Sequence, residues 1–456
     1  MIIIEANEIP KEIFEWYSKN SNGIISRSVD NIVTTELDDM PEEFLYPSQA
    51  WASISTSQSS NIHKIRWYND AKNDTNFYWR ECARKGKKVM IMGSLHTGSI
   101  SDKEIINYDF LFPDFFHDKP RVNNPKYQSF QNFNYKISIM SGRKTSLRQV
   151  VTNAIKSFLK YPILSAWGLS IKDFKTLFSL ILRARKDPEV LRNIQFLMQS
   201  RIFINELKKG IGSDLSIIFT NHVASCLHRN YIDFKKKSFS LEENIKKDKI
   251  LKAMKLLESS IEEAYSINNK REIYIITALG QKFNKHISEN YKLENTYDYK
   301  LVDKDKFLSL FIGKSNGIKF LPEMIPQYTF DFEDKNDFLR FQKKAKNIGS
   351  DPEAIRFGYY VPTGEKNIKN KGLFLHTDIQ GNKITCTTTV RPDDEGYVYL
   401  NNKKIHYQSL GFTKFKVSDF HHGEHSRFGC LIPLTNKLNY NKIHFSKVSN
   451  LITSQI

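Results

Sequence analysis

Four short, almost wholly apolar runs constrain this chain more than any other feature: Ile2–Ile4, Val89–Met92, Leu215–Phe219 and Ile273–Ile276. A strand with one wet face alternates apolar and polar residues, whereas runs of this kind suit parallel strands covered on both faces. The segments between them have helical character. Phe77–Lys85 predicts a helix stopped by Gly86, and Leu251–Ala264 has the apolar spacing of an amphipathic helix. Strand and helix in alternation predict an α/β fold, with a largely parallel central sheet flanked by helices.

Two regions depart from that rhythm. From about Thr145 to Lys209, apolar residues recur at i, i+3, i+4 and i+7 with Lys and Arg between them, which predicts a helical insert or cap. After roughly Ser350 the chain becomes strand- and turn-like, and Asn401-Asn402 within Val398–Tyr407 signals a hairpin. The expected organisation is therefore 1–144 as the N-terminal half of the core and 145–210 as the helical insert. Residues 211–456 form the second half, with a strand-rich elaboration.

With 456 residues, 40% of them hydrophobic, the chain can bury a large core and does not read as disordered. Its formal net charge of +18 favours polyanionic partners. No nucleic-acid-binding motif accompanies that charge, so phosphorylated, nucleotide-activated or glycan substrates rank above nucleic acid. The four cysteines (Cys82, Cys226, Cys386, Cys430) have no CxxC spacing, which disfavours a zinc ribbon and fits reduced thiols. No run approaches the ~18–20 apolar residues of a membrane span. Met1–Asn7 reads as a first strand rather than a signal peptide. The expected location is the cytoplasm, with peripheral contact at the inner membrane surface available through the aromatic and basic segment Phe158–Leu169.

Several motifs occur in a telling order. Ile2–Ile4 leads to Glu5 and Asn7; Tyr46-Pro47-Ser48 follows, then Ser55-Thr56-Ser57 and His63-Lys64-Ile65. Phe112-Pro113-Asp114, Ala224–Arg229, Ile273–Gln281 and His425–Ile432 come later. This succession resembles the type I phosphodiesterase/nucleotide pyrophosphatase branch of the alkaline phosphatase superfamily, across nearly the whole chain apart from the helical insert and parts of the C-terminal third. The resemblance implies chemistry at phosphorus assisted by two divalent cations. It places Ser48 at the nucleophile position, Glu5 at a metal-binding Asp, and His228 and His425 at metal or catalytic positions.

The departures from that pattern are chemically decisive. Where the family has Ser-Asp-His-Gly, this chain has Thr277-Ala278-Leu279-Gly280, and Ala224 stands where another Asp is expected. Neither Ala nor Leu can hold a cation, so one metal site is lost. Glu5, His222, His228 and His425 remain as candidate ligands for a single divalent ion, zinc or similar, and metal-independent activity is the alternative. Glu5 carries one methylene more than Asp, a displacement of ~1.5 Å. Asn7, Arg229, Arg427 and His422 are candidates for substrate binding, with Arg66 and Arg143 beside family-like motifs; an Arg fork can hold phosphate without a metal. His421, His422 and His425 cluster locally, and a polar loop explains them equally well. Ser48 could equally be an ordinary helix cap.

Two functional classes follow. One is an enzyme, a glycosyl or phosphoryl transferase or a phosphodiesterase-like hydrolase, acting on a phosphorylated or nucleotide-activated sugar or a lipid-linked glycan in surface polysaccharide biosynthesis. The other is a catalytically degenerate relative that binds a glycan or an assembly partner.

Overall fold

The computed structural model describes residues 1–37, 45–116, 121–140, 168–184, 187, 189–267, 271–284, 296–313, 317–321, 327–345, 375–388, 391–392, 397–400, 403–416 and 422–456. The apolar runs form strands, as their patterns require. They are β1 (Ile2–Ala6), β2 (Val33–Glu36), β3 (Val89–Met92), β4 (Phe110–Phe112), β5 (Leu215–Thr220) and β6 (Ile273–Thr277). All but β2 are buried along their length.

Among the described residues the central sheet has eight strands, in the order Lys442–His444, β2, Phe428–Pro433, β6, β1, β5, β3, β4. From β6 to β4 every pairing is parallel. Phe428–Pro433 runs antiparallel to both of its neighbours. β1 lies inside the parallel set between β5 and β6, with Ile3 opposite Ile217 on one side and Tyr274 on the other. The chain leaves β1 and returns beside it only much later, as β5 and then β6. A crevice forms where strand order switches in this way, at the carboxyl ends of the strands.

The sequence reading of the helices holds, with longer bounds in places. The helix expected over 77–85 spans Tyr78–Arg84, and Gly86 adopts the left-handed φ of 77° that ends it. The one expected over 251–264 runs from Leu241 to Ile267 and buries Ile250, Met254, Leu257, Ile261 and Ala264, one stripe at helical spacing. Each such side chain taken from water contributes roughly 1.5–3 kcal/mol.

The molecule divides into two compact units. The first comprises Met1–Ile137, Ser146–Asn284 and His421–Ile456. The helices of the expected insert, Ile171–Ala184 and Val190–Lys208, belong to it; Phe196, Ile202, Phe203 and Leu207 pack into the main core. Arg143 and residues 158–167 lie outside the described residues. The second unit, Ser138–Thr145 with Lys285–Phe420, has its own core, in which Phe307, Phe311, Phe330, Phe341 and Phe412 pack ring against ring. It contains a four-stranded sheet and the hairpin Tyr397–Leu400/Lys403–His406, whose Asn401-Asn402 turn lies outside the described residues.

Gly429 shows how tightly the antiparallel strand is inserted. A Cβ there would collide with the Thr277 carbonyl oxygen and crowd that of Ala278. Backbone cannot yield as a side-chain tip can, so Gly429→Ala should cost about 2 kcal/mol or more of stability, measured by urea unfolding. A loss below about 0.5 kcal/mol would contradict this packing.

Candidate metal centre

Three side chains meet at the carboxyl ends of β5, β1 and β6. Glu8 lies just past β1. His228 is on the helix His222–Asn230 that follows β5. His425 is on the strand Gly423–Ser426, which pairs antiparallel with β7 (Gly280–Phe283), the strand after β6. One donor atom from each lies within 4.8 Å of the other two. His228 Nε2 is 2.8 Å and His425 Nε2 is 3.1 Å from Glu8 Oε2.

The surroundings hold this arrangement. Glu8 is 1% exposed and has a left-handed φ of 54°, an uncommon conformation for a residue with a Cβ. Its Oε1 accepts from Asn7 Nδ2 at 2.7 Å, and its Oε2 accepts from Gln281 Nε2 at 2.8 Å. Asn7 is itself fixed: Trp51 Nε1 donates to its Oδ1 at 2.8 Å, and its own Nδ2 donates to Asn221 Oδ1 at 2.9 Å. Gln281, directly opposite His425 in the ladder, also donates to the Ala224 carbonyl at 3.1 Å. Gly423 is required beside it, because a Cβ there would collide with Gln281 Oε1.

Protonation follows from these contacts. Burial alone would raise the Glu8 carboxyl, but the facing His425 and His228 outweigh it and hold the group well below the usual carboxylate range. Burial would lower His228; the charge and hydrogen bond of Glu8 and the bond to the Gly423 carbonyl raise it instead. His228 Nδ1–H donates to that carbonyl at 3.0 Å. Its Nε2 therefore faces Glu8 either with a second proton, as imidazolium, or with a lone pair free for a cation. A backbone carbonyl bonded to the far nitrogen is the usual support of a metal-binding imidazole.

Two imidazole nitrogens and a carboxylate oxygen are the donor set of three-ligand zinc sites that keep a position open. A further feature fits a cation. Gln281 Oε1 is buried and accepts no hydrogen bond among the described residues, although its partner nitrogen donates to Glu8. The residues present thus fit a single divalent ion.

The expected site residues distribute unevenly. His228 and His425 come together. Glu5 does not join them: it is buried, accepts from the Tyr78 hydroxyl at 3.1 Å, and burial pushes its carboxyl up to about 7 against the hydrogen bonds of Ser94 and Tyr78. His222 also departs from its expected role as a ligand. It stacks on Phe196 at 4.0 Å, takes a hydrogen bond from Thr220 at Nδ1 and donates from Nε2 to the Ala253 carbonyl at 3.0 Å. Burial lowers it to about 3, so it is a neutral core residue pinning two helices. Ser48 is not a cap, since the helix Pro47–Thr56 is preceded by Tyr46 at that position. Its hydroxyl donates to the Arg66 carbonyl, and its own carbonyl accepts from His96 Nε2 at 2.7 Å.

Asn7 orients Glu8. Arg229 turns toward Glu189, with 4.0 Å between Nε and Oε1, and the Arg427 carbonyl accepts from the Leu37 amide. His422 Nε2 is 3.5 Å from Lys246 Nζ. His421 lies outside the described residues. Glu8 and Gln281 were missed by sequence reasoning. The signal for Glu8 was its position in the first turn beyond an apolar strand, where α/β sites form.

Glu5 gives a pH test. Its carboxyl gains affinity for a proton on folding, rising from an ordinary 4.5 to about 7. The stability tied to that proton is complete below the ordinary value and lost as pH rises through the folded one. Glu5→Gln keeps an acceptor for Tyr78 and cannot ionise. It should stabilise the protein relative to the parent by up to about 3 kcal/mol near pH 8 and by much less near pH 5, read from melting curves. A difference independent of pH would contradict the buried, proton-binding Glu5.

No family model matches the sequence, and no curated protein matches it. Among solved structures, the chain is similar to phosphonoacetate hydrolase from Sinorhizobium meliloti 1021 in complex with phosphonoacetate, at 10% identity and a TM-score of 0.41 over 100% of this chain and 95% of that one. It is similar to human ectonucleotide pyrophosphatase/phosphodiesterase 5, at 10% identity and a TM-score of 0.34 over 100% and 94%. It is also similar to wild-type alkaline phosphatase PafA, at 11% identity and a TM-score of 0.41 over 100% and 95%. Similarity this low transfers no residue roles.

Proposed function

We propose that Glu8, His228 and His425 hold one divalent metal ion, zinc or similar, and that the protein acts at a phosphoester or phosphoanhydride bond. The observation that carries this reading is the convergence of two buried donors and one half-buried donor within 4.8 Å at the carboxyl end of the central strands. A divalent ion there would supply Lewis-acid polarisation of a phosphoryl oxygen. The chain's own residues supply the rest. Asn7 and Gln281 orient the Glu8 carboxylate, and the Gly423 carbonyl fixes the tautomer of His228. The net charge of +18 favours an anionic substrate. A nucleotide-activated sugar or a lipid-linked glycan phosphate fits that charge, with group transfer and hydrolysis both open to a one-metal site. Surface polysaccharide biosynthesis in the cytoplasm is the setting we favour.

A specific observation favours a second reading, in which the site binds a phosphorylated ligand without turning it over. Ala278 and Leu279 are buried where the family carries ligands, and the Ser48 hydroxyl is engaged by the Arg66 carbonyl.

Metal analysis and zinc titration calorimetry on the full chain test the centre directly. The expected result is about one zinc per chain, with release of about one proton as the ion displaces it from His228. Glu8→Gln, His228→Ala and His425→Ala should each weaken zinc binding at least tenfold, roughly. Unchanged affinity in all three would overturn the centre. Zinc-dependent cleavage of para-nitrophenyl phosphodiesters or of nucleotide sugars supports the enzyme; zinc-dependent binding of them without turnover supports the second reading.

A further inference from the structure

The helix Ile171–Ala184 has two apolar faces, and among the described residues only one of them is packed. Leu180 and Ala184 are buried in a small cluster with Val190 and Leu197, and Leu177 leans on it. The helix is firmly held. Asp173, 4% exposed, accepts from the Ser170 amide and hydroxyl at 2.8 and 2.7 Å and pairs with Arg201 at 2.7 Å. Ser170 in turn accepts from the Asp173 amide at 3.2 Å, closing a reciprocal cap at the helix start.

At about 3.6 residues per turn, Ile171, Phe174, Phe178, Ile181 and Leu182 fall on one stripe beside the packed face. They are 79%, 38%, 64%, 37% and 44% exposed. Single exposed apolar residues need no explanation, but a contiguous stripe on an anchored helix does. On the flank of the stripe away from the core, Lys172, Lys175 and Arg183 form a cationic column, with Lys172 and Lys175 exposed. The one acidic residue of the helix, Asp173, is turned inward to Arg201.

We propose that this face rests on an anionic lipid surface, with the Phe and Ile side chains in the headgroup and acyl boundary and the basic column on the phosphates. An apolar stripe bordered by Lys and Arg is the arrangement of helices that lie in an interface. Charge selects the occupant. A second copy of this chain paired about a two-fold axis would set the same cationic columns close to each other. A lipid phosphate layer complements them, and the chain's net charge of +18 adds long-range attraction. No described helix is long and apolar enough to cross a membrane, so the contact lies along the surface.

Co-sedimentation of the full chain with vesicles tests this. Phosphatidylglycerol mixed with phosphatidylcholine is compared with phosphatidylcholine alone. The parent should bind the anionic vesicles preferentially. Phe174→Ser with Phe178→Ser should weaken that binding by about tenfold or more. Lys172→Glu with Lys175→Glu should abolish the preference for anionic lipid. Both pairs are exposed, so melting curves should match the parent and confirm folding. The proposal is overturned if the parent stays in the supernatant, or if both double variants sediment like the parent. It is equally overturned if the Phe pair converts a lipid-free dimer to monomers, which would make the face a contact between copies.

Discussion

The site depends on keeping one carboxylate charged where water cannot reach it. An ionised carboxylate buried alone is costly, and it persists only when every lone pair is met. Glu8 meets that condition with two amides and two imidazoles. Those partners come from the first loop, the helix after β5, and the ladder after β6. The left-handed backbone at Glu8 belongs to the same arrangement, because it turns the side chain back over the strand ends. Once Glu8 is fixed, the positions of His228, His425 and Gln281 follow.

Glu5 and Glu8 are three residues apart in opposite electrostatic settings. Glu5 meets hydroxyls and is pushed toward neutrality; Glu8 meets imidazoles and is held ionised. Environments that separate two neighbouring acids in this way assign them different work. Glu8 is suited to holding positive charge, whereas Glu5 is suited to giving or keeping a proton.

The fold was legible because burial on both faces leaves a direct mark on composition: Ile2–Ile4 and Ile273–Ile276 could hardly have been anything other than central strands. That His228 and His425 would lie together was legible through motif order. His222 was separable only in part. Six residues from His228, it cannot share that residue's helical face, yet nothing in the sequence says which of the two turns to the core. Glu8 was not legible, because the family pattern drew the reading to the last carboxylate of the strand. The carboxylate that meets the two imidazoles sits three residues later, and a left-handed φ cannot be read from a glutamate. The capacity of Gln281 to bridge Glu8 and the Ala224 carbonyl also exists only in three dimensions.

The donors of the centre, Glu8, His228 and His425, are widely separated along the sequence. During synthesis, Glu8 and His228 leave the ribosome well before His425 and the strand that carries it. Contacts of such long sequence separation are slow to form and late to be rewarded. A nascent or C-terminally truncated chain therefore carries the charged half of the site without its completion. On the proposed reading, a metal ion added at that stage would find two donors instead of three, so full-affinity binding would report that the ladder carrying His425 has formed.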